Sequence, residues 1–432
     1  MSTTTEPTWR TALAGAQILF VAFGATVLVP LLTGLNPSLA LLGAGIGTLI
    51  FQICTKRQVP IYLGSSFAFI APIVYSVNTW GMPATIGALS AASFFYYVAA
   101  GMVKWRGVGF IHRLLPPVVI GPVVMVIGLG LAQVAISMAT GKAGDTQVVP
   151  YDTALWVAAV SLSATMLTAI YARGLLKLVP ILVGVLVGYS LSVFLGLVDF
   201  SKVLNAPWLA IPEFGHPQFN LAAILFMIPV AIAPIVEHVG GILAIGSVVG
   251  RDYTEQPGLH RTLLGDGLAV NIVGLFGGPP VTTYGEVTGA VMLTRNYNPV
   301  VMTWAACFAI LMAFVGKFGA LLQTIPMPVM GGIMILLFGS IAAIGLKTIS
   351  DGKVDLMMPR NLCLVSVTLV TGIGGLGVTI GSFSLQGISL CGVLAVLLNL
   401  ILPAGEKQHE VTTTLPGLGL SGPEEVSRET LP

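Results

Sequence analysis

The sequence predicts an all-α polytopic membrane protein of about fourteen transmembrane segments, arranged as a 7+7 inverted repeat. Three observations predict it. Of 432 residues, 55% are hydrophobic and only 8% charged, with mean hydropathy +0.94, whereas soluble domains average about 25% charged residues. Continuous apolar stretches of about 17–25 residues recur throughout, the length a helix needs to cross a bilayer, and the alternating ten-residue segments of a barrel do not. With the N-terminus cytoplasmic, only Lys142, Lys202 and Lys317 of the nineteen Lys and Arg residues fall on the outer side. One span more or fewer would scramble that positive-inside pattern. The expected location is the cytoplasmic membrane, multi-pass, with both termini in the cytoplasm.

In order, the first half reads as spans near 12–33, 39–54, 61–77, 84–103, 117–139, 154–172 and 179–198. The first is a full-length apolar run followed by others rather than by a cleavage site, so it reads as an anchor and not as a secretory signal. Ser201 through Asn220 is the least hydrophobic connection and separates the halves. The second half reads as 221–249, 264–277, 280–294, 299–316, 326–345, 361–377 and 384–403, with the third, ninth and tenth spans the weakest apolar signals. Halves with an odd number of spans enter the bilayer in opposite orientations, which puts a binding site at the repeat interface.

The third span of each half is interrupted. Pro60-Ile61-Tyr62-Leu63-Gly64-Ser65-Ser66-Phe67-Ala68-Phe69 and Pro279-Pro280-Val281-Thr282-Thr283-Tyr284-Gly285-Glu286 both combine proline, which lacks a donor, with glycine, which relaxes the backbone. The spacing predicts a short extended stretch followed by a half-helix in each, with backbone amides and positive helix ends facing a central polar cavity. Irregular backbone at that depth needs cover from protein or water.

Two carboxylates mark the same place. Glu286 follows the second interruption, and Glu237 lies in 221–249, where His238 is the only other ionisable residue. A charged side chain at mid-bilayer costs about 2.5–3.5 kcal/mol on insertion scales, so the pair points to a polar, proton-linked substrate site. Ala233, Gly240, Gly241 and Ala244 surround Glu237 at helical spacing, leaving room for a ligand or for close helix packing. Pro229 and Pro234 are positioned to bend that helix.

Other polar residues read more plainly. Asp266 is expected as a helix-terminal or interfacial residue, and Tyr62, Trp105 and Trp304 as interfacial aromatics. Gln17 either lines the cavity or bonds a neighbouring helix, and Arg295 anchors a span end. Cys54, Cys307, Cys363 and Cys391 lack CxxC spacing, so neither a disulfide nor a metal site is expected. No cofactor is expected. A net charge of +2 does not call for nucleic acid, and residues 404–432 have the polar composition of a disordered cytoplasmic tail.

Several stretches together resemble one family. Phe23-Gly24-Ala25-Thr26-Val27-Leu28-Val29-Pro30, Tyr62 through Phe69, Glu237-His238-Val239-Gly240, Pro257-Gly258-Leu259-His260-Arg261 and Thr282 through Glu286 are similar to bacterial uracil permeases of the nucleobase/ascorbate transporter (nucleobase:cation symporter-2) family, over roughly residues 12–403. The resemblance implies a core domain, 12–113 and 206–318, and a gate domain, 114–205 and 319–403, flanked by a cytoplasmic N-terminus, 1–11. It also implies proton-coupled import of uracil as core moves against gate, and a homodimer through the gate domains. Glu237 is then the residue that pairs with the ring's N–H and carbonyl edge, and Glu286 contacts the opposite part of the ring. Backbone groups beside Phe67 and Gly285 complete the edge, with Ala25, Phe67 and Tyr284 as wall. Such carboxylate hydrogen bonds to an imide N–H are roughly twice as strong as neutral ones.

Glutamate at 286 favours a pyrimidine, since glutamine is usual at that position in xanthine and urate carriers. The chain departs from the family pattern at Val287, where asparagine is common, and at Gly241 and Ile18, where histidines are frequent. Without those histidines Glu237 is the preferred proton acceptor, because a carboxylate withdrawn from water is costly to keep charged. His238 is a second candidate by adjacency, about 100° round the helix.

The rival readings are a purine (xanthine or hypoxanthine) proton symporter and an anion transporter of the same architecture, in which two cavity glutamates would repel the cargo. An enzyme is not expected: no HExxH, GxSxG or phosphate-loop signature accompanies the glutamates. Nor does the absence of a phosphate loop fit an ATP-driven pump.

Overall fold

The computed structural model describes residues 8–144, 146–380 and 383–403. The tail expected at 404–432 and residues 1–7 of the N-terminal segment lie outside the described residues. Apolar runs become helices wherever no proline or glycine pair interrupts them. The first two are α1 (Thr8–Thr33) and α2 (Pro37–Cys54). The latter is capped by Asn36, whose side chain accepts from Ser38 N at 2.9 Å, with proline at its first position.

The third segment is interrupted as its sequence predicts. It holds the strand β1 (Leu63–Ser65), a 3₁₀ turn at Phe67–Phe69 and the half-helix α3 (Ile70–Trp80). Then come α4 (Met82–Ala91), α5 (Ser93–Arg106), the short α6 (Val108–Leu114), α7 (Pro117–Leu129) and α8 (Ala132–Ala139). A two-residue hairpin, β2 (Lys142–Ala143) with β3 (Thr146–Gln147), leads to α9 (Tyr151–Tyr171), α10 (Pro180–Phe194) and the connecting α11 (Ser201–Asn205).

The second half repeats the plan. Residues 221–249 form α12 (Leu221–Met227) and α13 (Ile232–Val249), joined by a 3₁₀ turn at Ile228–Ala231 where Pro229 removes a helical donor. After α14 (Leu259–Leu275) the chain runs into β4 (Val281–Thr283) and the half-helix α15 (Gly285–Thr294). It finishes with α16 (Val300–Ala313), α17 (Gly316–Leu322), α18 (Met327–Asp351), α19 (Pro359–Ile373), the strands β5 (Gly377–Ile380) and β6 (Phe383–Gln386), and α20 (Gly387–Ile401).

Among the described residues, seven helical stretches are long and apolar enough to cross a membrane, and five shorter apolar helices accompany them. The two small hairpins are additions that composition did not forecast, because their strands are too short to leave an alternating pattern.

Packing sorts the helices into two sets. In one, α2 packs against α14 and α16, α1 against α16, and α14 against α4 and α5; in the other, α18 packs against α7, α8 and α9, α9 against α10, and α19 against α7 and α20. Contacts of α13 with α7 and of α1 with α10 join the sets. One expectation fails here. Tyr62 is fully buried, not interfacial, because it immediately precedes a strand in the interior, while Trp105 at 80% exposure fits an interfacial ring.

Candidate functional site

Pro60 and Pro279-Pro280 withdraw backbone donors from the two interrupted segments, which therefore run extended and satisfy each other. β1 and β4 pair antiparallel, Leu63 opposite Thr283, Gly64 opposite Thr282 and Ser65 opposite Val281. Ser66 N donates to Pro280 O at 2.8 Å and Tyr284 N to Tyr62 O at 3.2 Å, extending the ladder at both ends. On the outer edge of β1, Leu63 N donates to Thr48 Oγ1 at 2.9 Å and Gln52 Nε2 to Val59 O at 2.9 Å. Backbone groups that lipid could not solvate are thus paired within the protein.

Gly64 lets the crossing close. A Cβ there would stand 2.4 Å from Cζ of Tyr284. The Tyr284 ring instead lies over the glycine, its hydroxyl donating to Ser65 O at 2.8 Å, while Ser65 Oγ donates to Thr26 O at 2.8 Å on α1. Beyond the crossing each chain enters a helix, at Phe67 in the first half and Gly285 in the second. The opening turns leave backbone N–H groups without intrahelical partners.

The residues singled out from the sequence gather around this crossing. Ala25, Phe67 and Tyr284 are buried, whereas Gly285 is exposed and Glu237 and Glu286 are half-buried. Oε2 of Glu237 has no hydrogen-bond partner among the described residues. Glu286, in the first turn of α15, lies within electrostatic reach of Glu237 on α13.

The opposite wall comes from the second packing set and is apolar. A Cβ on Gly240 would meet Ile120 at 3.7 Å, and one on Gly285 would meet Ile344 at 3.8 Å. The Phe67 ring stands edge-on to Phe338 with centroids 5.8 Å apart. Beside Glu286 lies a cavity of about 190 Å³ whose lining includes Val21, Lys177, Pro180, Gly289 and Leu293. The arrangement sets two carboxylates at the crossing beside an apolar wall, with space opening next to Glu286.

His238 points elsewhere. Its Nδ1 is 2.9 Å from Oδ2 of Asp266 and its Nε2 is 3.0 Å from Oγ1 of Thr262, with both ion-pair side chains fully buried. Asp266 is therefore not the helix-terminal or interfacial residue its position suggested. α14 begins at Leu259, earlier than its apolar run, which places Asp266 about two turns inside the helix. At Gly241, where the family frequently carries a histidine, a Cβ would stand 2.7 Å from Thr283 Oγ1 on β4, so a side chain there needs Thr283 to move. Ile18 is buried apolar core.

Gln17 Nε2 has no hydrogen-bond partner among the described residues, and Gln17 is not among the residues lining the cavity beside Glu286. Sequence reasoning missed Lys177, Ile120, Phe338 and Ile344 because an apolar or terminal residue carries no pattern that says which neighbour it will face. Among the described residues no group of three or more His, Cys, Asp or Glu could hold a metal ion.

Comparison with known proteins agrees in length and fold. The permease family of xanthine and uracil carriers matches residues 10–381. A probable uracil permease of Pasteurella multocida is 57% identical over 394 residues, 91% of this chain and 94% of that one. A probable uracil permease of Haemophilus influenzae is 55% identical over 401 residues, 93% of this chain and 96% of that one. The transmembrane domain of a cyanobacterium bicarbonate transporter, BicA, superimposes with a TM-score of 0.63 at 15% identity, covering 90% of this chain and 96% of that one. At that identity the likeness speaks for the fold alone.

Proposed function

The chain belongs to the xanthine/uracil permease family, and from that premise we propose that it imports uracil together with a proton by alternating access. The observation that carries the reading is that Glu286 lies within electrostatic reach of Glu237 at a two-strand crossing built from opposite halves, against an apolar wall from other helices. Uracil presents alternating N–H and carbonyl groups along a flat edge. Protonated Glu237 accepts from a ring N–H and donates to the neighbouring ring carbonyl, Glu286 and the backbone beside Gly285 and Phe67 take the remaining edge, and Ala25 and Tyr284 limit the space. A charge-assisted hydrogen bond from the ring to ionised Glu286 favours an imide over an anion, which that carboxylate repels.

In this reading the helix set containing α1, α2, α14 and α16 is the core domain and the set containing α7, α9 and α18 is the gate. Their interface is lined by Ile120, Phe338 and Ile344, apolar side chains that permit one set to move past the other. Glu237 takes up the coupling proton beside His238. Protonation removes a charge from the loaded site and lowers the cost of its passage, and the proton leaves with uracil on the cytoplasmic side before the empty site returns. The termini lie in the cytoplasm, and gate domains from two copies pair in the membrane. The names of the curated relatives favour uracil over a purine.

Initial uptake of labelled uracil into proteoliposomes tests this. An inward proton gradient should drive uptake, a protonophore should abolish it, unlabelled xanthine should leave it intact, and Glu237→Gln should remove it. Uptake indifferent to the gradient would end the coupled reading, and competition by xanthine would redirect it to purines.

A further inference from the structure

We propose that His238 and Asp266 hold one proton between them in a sealed compartment behind Glu237, and so set the pH range in which Glu237 exchanges its own; this rests on the proton-coupled reading above. The hydrogen positions follow from a chain of donors. Thr262 Oγ1 donates to Leu259 O at 3.0 Å, and a hydroxyl has a single hydrogen. We assign that hydrogen to Leu259 O, so that Thr262 Oγ1 accepts from His238 Nε2, 3.0 Å away.

That leaves Nδ1 facing Asp266 Oδ2 at 2.9 Å, with both side chains fully buried. Two bare lone pairs at that distance would repel without water to separate them. One proton therefore resides there, either on the imidazole facing a carboxylate or on the carboxyl facing a neutral ring. Both forms are neutral as a unit.

The surroundings offer nothing that would release that proton. From α13 comes Glu237, and from α15 comes Glu286, the carboxylate that Glu237 senses along with Asp266. From α5 comes the Tyr96 hydroxyl, fully buried, without a hydrogen-bond partner, and within electrostatic reach of both Asp266 and Glu237. α2 contributes the Phe51 ring, edge-on to His238 with centroids 6.2 Å apart, and uncharged Gln52, whose amide is taken by Val59 O. β4 contributes Thr282 and Thr283, which are uncharged. On α14, Arg261 is directed to Cys54 O and His260 lies at the start of the helix. Losing the shared proton would thus set a third negative charge beside Glu237 and Glu286 with no cation facing it. Asp266 is by this account a positioning residue: it acts through His238 and through the field at Glu237, without touching substrate.

The test is the pH profile of uracil binding to the full-length purified protein, read for His238→Gln, Asp266→Asn and the double variant. Binding is lost at alkaline pH as Glu237 gives up its proton. In His238→Gln, Asp266 loses the ring that shares its proton and titrates as a separate buried carboxyl, and wherever it ionises in the alkaline range its charge keeps Glu237 protonated to higher pH. The alkaline limb should move up by about one pH unit at an effective dielectric constant of about 20. Asp266→Asn leaves a neutral pair, as does the double variant, so both limbs should stay at the native position even if the amplitude falls. A merely structural pair would lower amplitude in all three without moving any limb, and that result would overturn the proposal. Should His238→Gln fail to fold, the nitrogen chemical shifts of the His238 ring in the native protein decide: a protonated Nε2 is expected, and a bare Nε2 would make the pair anionic and overturn the proposal. Uptake indifferent to a proton gradient in the native protein would count against coupled transport alone, since the binding profile needs no gradient.

Discussion

Replacing Gly64 with alanine should cripple the site through a single methyl group. The added Cβ would stand 2.4 and 2.5 Å from Cζ and Cε2 of Tyr284 and 2.9 Å from Thr26 Oγ1, where carbon atoms normally rest about 3.5–4.0 Å apart. The ring must retreat by about 1 Å, yet it is 3% exposed and its hydroxyl is bonded to Ser65 O at 2.8 Å. Overpacking of this kind costs about 1–3 kcal/mol, and losing the hydroxyl's bond adds about 0.5–1.5 kcal/mol. A strain of about 2–4 kcal/mol borne by the strand crossing corresponds to roughly 30- to 800-fold weaker uracil binding, at about 1.4 kcal/mol per tenfold. Equilibrium binding of labelled uracil to purified protein, with thermal unfolding measured alongside, reads both effects. Native affinity in Gly64→Ala would refute the idea that the closeness of the crossing shapes the site.

Four further substitutions follow from the same contacts. Gly289→Ala has nothing within 4 Å of its new Cβ and removes a helix-interior glycine, so it should stabilise by about 0.5–1 kcal/mol; a lower unfolding temperature would contradict that. Tyr284→Phe leaves the buried Ser65 carbonyl without its donor, at about 1–3 kcal/mol, seen as a lower unfolding temperature and weaker uracil binding together. Glu286→Gln should weaken uracil binding by about tenfold or more as a charge-assisted bond becomes a neutral one, measured by titration calorimetry. Asn399→Ala removes the amide that donates to Arg113 O at 2.9 Å and Leu114 O at 3.2 Å and the oxygen that accepts from Arg360 at 2.8 Å. Unpaired groups at this joint should cost about 1–3 kcal/mol in thermal unfolding.

The apolar helices were legible because hydrophobic length is a local property: the run read as 326–345 announces α18, Met327–Asp351, without reference to any other residue. The interruptions were legible for the same reason, since Pro60 and Pro279-Pro280 forbid regular helix where they stand. Pairing was not. Leu63 meets Thr283 and Tyr284 meets Ser65 across most of the chain, and no spacing rule connects residues so far apart. His238 and Asp266 show the same limit at closer range. Each looked ordinary within its own run, and only the rotation of α13 against α14 brought imidazole and carboxylate to 2.9 Å.

The crossing of β1 and β4 also has a history in time. Ser65 and its partner Tyr284 are separated by 219 residues, and a ribosome working at about 5–20 residues/s needs roughly 10–45 s to cover that distance. Throughout that interval the first strand has no mate, and its backbone groups cannot be left facing hydrocarbon. The amino-terminal half must therefore wait at the insertion machinery, or in contact with water, as an incomplete object. Synthesised alone it should be a substrate for membrane quality control rather than a half-transporter.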